Sequence, residues 1–525
     1  MTNLEKMLSE KPEFRELLFI RGFLLSTDGN IEMQGFPFYG KWTKKEIAEG
    51  IYAYTHPKQH VYSVNSDGKT FFLFGHAYNP FTMEIDEEKI LYRIGSAYET
   101  DEYIDRIDEL TGIFVLGSVI DGKISFIADP AGMQSACYGY VNDKFYISSH
   151  PQLICDLCSL EMSDYVKELI SYKWYPRVKG PYLPADLTPF DKIKRVVPNT
   201  SFVFEEGKIS HKRFYPLKEL HECKTDEEYI RVIEQSAEIL KKNMQLVAAK
   251  WNKPYISLSG GIDSNTTFAA ANGVYDKIGA FSFISAEKET IDADAAKIIA
   301  EKFNVDWDLY NIPESSEEIS NYNEIISIIE HNNGYIAPGR ANEYRKRVYL
   351  LQNLKCDVEI KSWASEIIRG YMYKHFGRKK FPKLSPKLYR NIYKIFILNR
   401  SLAHKTDKVF EKYLNEFEYY SIPKQYTPSD MFEYEVGTGS WCSLNISEMK
   451  TYADFVIIYN NRRLLDMLLS VPLEKRISDE HHLDMKKYLN KELYDMGIRV
   501  VNMYETDFRA FMLNVIFTIN SILPF

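Results

Sequence analysis

Residues 254–264 read PYISLSGGIDS, and the rest of the chain is understood from this stretch. A short apolar run at 255–258 leads into Ser259-Gly260-Gly261-Ile262-Asp263-Ser264, and helix-forming residues follow to about 272. Two adjacent glycines let a backbone approach an anion closely and offer conformations with positive φ. The amides of such a loop, with the helix start behind it, form an anion site. The hydroxyls of Ser259 and Ser264 can add donors to it. Asp263 is ill suited to grip phosphate directly, because like charges repel, but it suits a Mg²⁺ ion that bridges phosphates. No lysine follows the glycines, so the loop is not of the Walker type. A plain strand–turn–helix connection accounts for two glycines. It does not account for the whole SGGxDS string at the head of an alternating strand–helix region.

Downstream, β-like runs at 278–284, 307–312 and 358–361 alternate with helical runs at 292–303, 315–329 and 340–353. That alternation predicts a parallel sheet with crossover helices. Beyond about 363 the chain reads as mainly helical. Upstream, 225–241 reads as helix, and a boundary is expected near 221–224. Residues 1–215 are rich in short β-like runs, at 69–74, 112–118, 123–128 and 144–149, separated by turn pairs such as Asp67-Gly68 and Asp121-Gly122. Two helical stretches, 87–96 and 100–110, interrupt them. A chain of 525 residues exceeds one ordinary core. The expected architecture is an α+β sandwich over 1–220, then an α/β parallel-sheet domain over 221–525 with a helical C-terminus.

Hydrophobic residues at 45% and charged residues at 26% are the balance of a globular protein. Sixty-five basic against 73 acidic residues give a net charge of -8. With no evident basic arm or stripe, no nucleic acid partner is expected. The N-terminal stretch MTNLEKMLSEKPEF is charged throughout and has no apolar signal core. No apolar run reaches the roughly 18 residues of a membrane span, and no membrane partner is expected. The apolar stretch 511–525 is broken by Asn514 and Asn520 and is expected to be a core helix with one buried face. Of six cysteines only Cys155 and Cys158 have CxxC spacing, and zinc needs a second pair. Reduced thiols in a cytoplasmic protein are expected.

SGGIDS behind a strand resembles the signature of the PP-loop ATP pyrophosphatases, which split ATP between its α- and β-phosphates. The chain resembles the asparagine synthetase B-like family over nearly its full length. In the first part the resemblance is carried by Leu110-Thr-Gly-Ile-Phe114, Asp129-Pro-Ala-Gly132, Tyr138-Gly-Tyr140, the stretch TPFDKIKRVVPN at 188–199, and Arg213-Phe-Tyr-Pro216. In the second part it is carried by Glu366-Ile-Ile-Arg-Gly-Tyr371, Asn460-Asn-Arg-Arg-Leu-Leu-Asp466, Val471-Pro472 and Met485-Lys-Lys-Tyr-Leu489. The resemblance implies an Ntn-hydrolase-like glutamine-amidotransferase domain followed by a PP-loop synthetase domain of the adenine nucleotide alpha hydrolase-like kind. It implies ATP and Mg²⁺ as cofactors.

The departures bear on function. The family's glutaminase uses a cysteine directly after the initiator Met. Thr2 stands there, no Cys precedes Cys137, and some 18 residues precede the first strand-like segment at 18–25. The family's oxyanion-holding Asn-Gly is Phe74-Gly75, and the Asp that holds the substrate glutamine is Thr111. A phenyl ring cannot donate to an oxyanion, so glutaminase activity is not expected. In Lys361-Ser-Trp-Ala-Ser-Glu366 the family has glycines and a second Mg²⁺-binding Asp; Ser365 takes the Asp's place, leaving Glu366 as the candidate second metal ligand beside Asp263. Trp363 is expected to fill the aspartate pocket. Lys486 matches the family's lysine at the pyrophosphate and the reacting acyl group, although Lys487 beside it leaves the register open. His481 and His482 are expected in surface or capping roles, and Glu433 and Glu435 are weaker candidates for meeting an acceptor amine.

The expected activity is that of an ATP-dependent carbon–nitrogen ligase. It would adenylate a small-molecule or peptide carboxylic acid and join it to ammonia or an amine, as in glutaminase-deficient relatives such as β-lactam synthetases and lasso peptide cyclases. A degenerate PP-loop scaffold and a PP-loop RNA-modifying enzyme are the alternatives.

Overall fold

The computed structural model describes residues 2–177, 179–500 and 507–522. Two six-stranded antiparallel sheets build the first part. One runs in the order Ile193–Arg195, Cys137–Val141, Lys144–Ser148, Phe23–Ser26, Ile51–Thr55, Thr43–Ala48. The other runs Lys208–Arg213, Thr200–Glu205, Lys123–Ala128, Thr111–Ile120, Lys69–Tyr78, Val61–Ser66. They pack face to face because alternate residues along each strand point to opposite faces and the inward ones are aromatic or aliphatic. Phe23 stacks on Phe74 at 4.3 Å and Phe145 on Phe204 at 4.1 Å between ring centres. The outer face of the second sheet, with Phe71, Leu73, Phe114 and Leu116, is covered by the helices Glu87–Gly95 and Glu102–Asp108. This is the expected α+β sandwich.

The second part has a five-stranded parallel sheet in the order Trp307–Asn311, Gly279–Ile284, Pro254–Ser257, Val358–Lys361, Asp454–Ile457. The chain starts at the centre, winds outward to one side, then crosses to the other. The switch point lies between Pro254–Ser257 and Val358–Lys361, and ligands of open α/β sheets sit at the carboxyl ends of strands at such a point. The fifth strand, Asp454–Ile457, lies in a region that reads as helical. Its DFVI is an apolar run too short for periodicity to tell strand from helix. The expected helix at 315–329 is a 3₁₀ turn, Ser316–Glu318, and a helix displaced to Tyr322–Asn332.

The two parts share one continuous hydrophobic cluster. The helix Asp226–Lys250 opens behind Thr225, whose hydroxyl accepts from the Glu228 amide in a capping box. Polar contacts also cross between the parts. His76 meets the carbonyl of Phe455 at 2.7 Å, and Asn460 Nδ2 donates to Asp129 at 2.7 Å. The strongest is a bidentate pair with no side-chain exposure: Arg213 Nη1 and Nη2 donate to Glu435 Oε1 and Oε2 at 2.7 and 3.0 Å. Glu435 therefore ties the two parts together and does not face an amine. Removing one partner of such a pair leaves a buried charge uncompensated, so Glu435→Ala is expected to cost about 3–5 kcal/mol. An unfolding free energy lowered by that amount in denaturant titration, with an unchanged slope, is the check.

Candidate functional site

The loop after Pro254–Ser257 is held by its own hydroxyls. Ser264 Oγ sits 2.9 Å from Ser259 Oγ and donates to the Ser259 carbonyl at 3.0 Å. The Gly260 amide donates to Asp292 at 3.0 Å and the Gly261 amide to Ser259 Oγ at 3.2 Å. Neither glycine has a positive φ. The expectation of left-handed backbone is corrected: at Gly260 the requirement is space, since a Cβ there would lie 2.1 Å from Val500 Cγ2. The helix Ile262–Ala270 then begins, and its first-turn amides, those of Ile262, Asp263 and Ser264, have no acceptor within the helix. They give the loop mouth positive character.

Asp263, in that first turn, faces a charged cluster. Arg369 Nη1 donates to its Oδ2 at 2.5 Å and Ser365 Oγ to its Oδ1 at 3.0 Å. The same guanidinium holds Asp479 in bidentate fashion, through Nε at 2.8 Å and Nη2 at 2.9 Å, and Lys374 and Arg499 also reach Asp479. Those cations hold Asp479 well below the usual carboxylate range despite its burial. In the sequence Arg369 is one residue of the stretch Glu366-Ile-Ile-Arg-Gly-Tyr371. Its role was not legible there, because Asp479 lies more than a hundred residues away in the chain.

Glu366 lies beside this cluster. Burial, then the charge of Asp263, pushes its carboxyl up to about 7. Its Oε2 is buried and finds no hydrogen-bond partner among the described residues. As placed, Asp263 is committed to the Arg369 guanidinium and Glu366 is buried with its carboxyl raised to about 7, so the two carboxylates do not form a ready metal pair. Among the described residues no group of three or more His, Cys, Asp or Glu side chains is arranged to hold a metal ion.

The helix Glu480–Leu489 packs against the loop-bearing helix and places the two lysines differently. Lys486 is 2% exposed, whereas Lys487 is at the surface. Desolvation lowers the Lys486 ammonium to about 8. Its Nζ approaches the Ile498 carbonyl at 3.5 Å, and two residues on the Val500 amide donates to the Gly260 carbonyl at 2.8 Å, so Lys486 stands beside the loop. His481 and His482 are fully buried, which corrects the expected surface role. Desolvation keeps both neutral, His482 at about 3, with its Nε2 3.5 Å from Asp263 Oδ1.

Trp363 lies half-buried on a cavity of about 570 Å³ at the carboxyl ends of Gly279–Ile284 and Val358–Lys361. Trp441 stands 5.8 Å from it and Lys361 Nζ 5.2 Å over its ring. Residues 179–181 of the first part form one wall. Glu433 is buried and paired with Lys179, which lines this cavity.

The first part holds no nucleophile arrangement at the expected positions. Thr2 is the N-cap of the helix Asn3–Glu10, its hydroxyl accepting from the Glu5 amide at 3.2 Å, and twenty residues separate it from the strand Phe23–Ser26. Phe74 is packed in the sandwich core with no exposure. Thr111 donates to Asn243 at 3.0 Å, joining the two parts. Glutamate release from glutamine is expected to stay at the heat-killed background in the wild type and in Thr2→Ala alike. Release by the wild type that this substitution abolishes would contradict the cap assignment.

Residues 253–345 match the family model described as Asparagine synthase. The matched segment holds the phosphate loop and three of the five parallel strands. No curated protein sequence matches the chain. Among solved structures, the allosteric regulatory enzyme of purine biosynthesis is 9% identical, covering 61% of this chain and 85% of that one, with a TM-score of 0.25. Glutamine phosphoribosylpyrophosphate amidotransferase from B. subtilis, complexed with ADP and GMP, is 10% identical over 70% and 74% of the two chains, with a TM-score of 0.21. Glutamine-dependent NAD+ synthetase from Acinetobacter baumannii, in complex with ADP, is 16% identical over 50% and 51%, also at 0.21.

Proposed function

We propose that the protein is an ATP-dependent, AMP-forming carbon–nitrogen ligase that does not draw its nitrogen from glutamine. The observation that carries this reading is the SGGIDS loop at the switch point of the parallel sheet, with Arg369 on one side and Lys486 on the other. A carboxylate oxygen of the acid attacks the α-phosphorus of ATP, the bond to the bridging oxygen breaks, and pyrophosphate leaves. An amine then attacks the acyl carbon, loses a proton, and expels AMP. Transfer at phosphorus needs positioning and charge neutralisation more than a protein nucleophile. The loop amides, Arg369 and Lys486 supply both. The nucleotide is expected to arrive as its magnesium complex.

The nitrogen comes from ammonia or from an amine of the substrate itself, given the positions of Thr2, Phe74 and Thr111. The cavity at Trp363 receives the acid. Its lysine and arginine side chains suit a carboxylate, and its two indoles add an apolar wall that a small dicarboxylate would leave unused. The test is product analysis with Mg-ATP, ammonium and a panel of acids. AMP with pyrophosphate is expected; ADP with phosphate, or asparagine made from aspartate at a true synthetase's rate, overturns the reading.

A further inference from the structure

The helix Asp507–Ile522 has one buried side, formed by Leu513, Phe517 and Asn520. Phe517 packs on Phe376 and Phe381 at 5.3 and 5.5 Å, and Asn520 Nδ2 donates to the Ile395 carbonyl at 2.7 Å. Its outer side is apolar too: Phe508 is 74% exposed, Phe511 61%, Ile519 50% and Ile522 79%, with Met512 and Val515 between them. At about 100° per residue these six fall within one arc of about 100°. The sequence expectation of a core helix holds for one face only. A contiguous stripe of this size on a folded protein marks a surface that something covers.

The stripe has a basic flank. Gly377 sits against Ala510, and Arg378 Nη1 donates to Asn514 at 2.7 Å and Thr518 at 3.1 Å, along the edge of the stripe. Lys379, Lys380 and Lys383 follow, all exposed. Between Glu366 and Asp407 the chain carries eleven Lys or Arg and no acidic residue, although the whole chain has net charge -8. The expectation of no basic stripe is corrected here: overall composition hides a local run.

We propose that this surface docks the protein on an anionic lipid bilayer, the helix lying in the interface plane and the lysines meeting headgroups. An apolar face with cations beside it is the pattern of interfacial helices, and basic segments add affinity on anionic leaflets. A second copy pairing stripe to stripe would bring two cationic flanks together. RNA would match the lysines and leave six apolar side chains in water. No helix among the described residues is long and apolar enough to cross a membrane, so the contact is one of docking, not spanning. It stands apart from the ligase reading.

The test is flotation of the full chain with phosphatidylcholine vesicles and with mixed phosphatidylcholine–phosphatidylglycerol vesicles. The wild type is expected to float only with the mixed vesicles, and less so at high salt. Lys379→Glu with Lys380→Glu and Lys383→Glu is expected to weaken binding at least 100-fold, at about fivefold or more per lysine. Phe511→Ser with Ile519→Ser is expected to weaken it by a similar factor. These side chains are at the surface, and an unchanged thermal midpoint and circular dichroism spectrum confirm that the variants are folded. Three outcomes overturn the proposal: no flotation of the wild type, flotation unaffected by either set, or a dimer in the ultracentrifuge that the Phe511 and Ile519 changes dissociate. Retention on single-stranded RNA with no retention on vesicles overturns it as well.

Discussion

Asp263→Ala is expected to lower AMP formation by about 10³-fold or more. Asp263 and Asp479 hold Arg369 between them, at 2.5 Å and at 2.8–2.9 Å respectively. Without Asp263 the guanidinium answers to Asp479 alone and is drawn from the loop mouth, where charge develops on the departing pyrophosphate. A positioned arginine in phosphoryl transfer is worth about 10³–10⁵ in rate. The carboxylate is not purely a loop ornament, so its removal also costs stability, about 1.5–3 kcal/mol for a hydrogen bond to a charged group. Asp263→Asn keeps the size and the bond from Ser365 and is expected to lose rate with a smaller loss of stability. Turnover within a few-fold of the wild type in both variants, measured in single-turnover quench experiments, sinks the assignment.

Lys486→Met should cost about 10²–10³ in turnover, the usual effect of removing one group that stabilises developing charge. The pH dependence is the sharper test. Desolvation puts the ammonium at about 8, so the cation is lost as pH rises through that value, and kcat/KM of the wild type is expected to fall there. The methionine variant should lack that limb. The stability effect has the opposite sense. A lysine lowered from 10.5 to about 8 by folding binds fewer protons folded than unfolded between those values, so stability rises with pH across that window. Below it the full penalty of a buried cation is present. Lys486→Met is thus expected to raise the unfolding midpoint at neutral pH while lowering activity. A variant that loses both stability and activity would mark Lys486 as a packing residue.

Local chemistry carries some features and not others. The loop was legible because its whole mechanism lies within six consecutive residues: two glycines, two hydroxyls and a first-turn carboxylate. The parallel strands before 363 were legible because each is flanked by a helix of recognisable length. The strand Asp454–Ile457 was not, since four apolar residues have no periodicity. Lys486 and Lys487 were indistinguishable as letters, and the packing of Glu480–Leu489 against the loop-bearing helix turned one inward and the other out.

By itself, the sequence determined the strand–loop–helix that can hold an anion, the two-part order of sandwich and parallel sheet, and the residue types at Thr2, Phe74 and Thr111. Each of these is a property of residue type at a position. Tertiary structure alone decided that Arg369 stands between Asp263 and Asp479, that Glu366 is pushed toward its protonated form, that Glu435 binds Arg213, and that the C-terminal helix keeps an apolar side in the open. The physical reason is common to all four. Charge pairing and burial depend on distances between residues remote in the chain, and only the completed packing sets those distances.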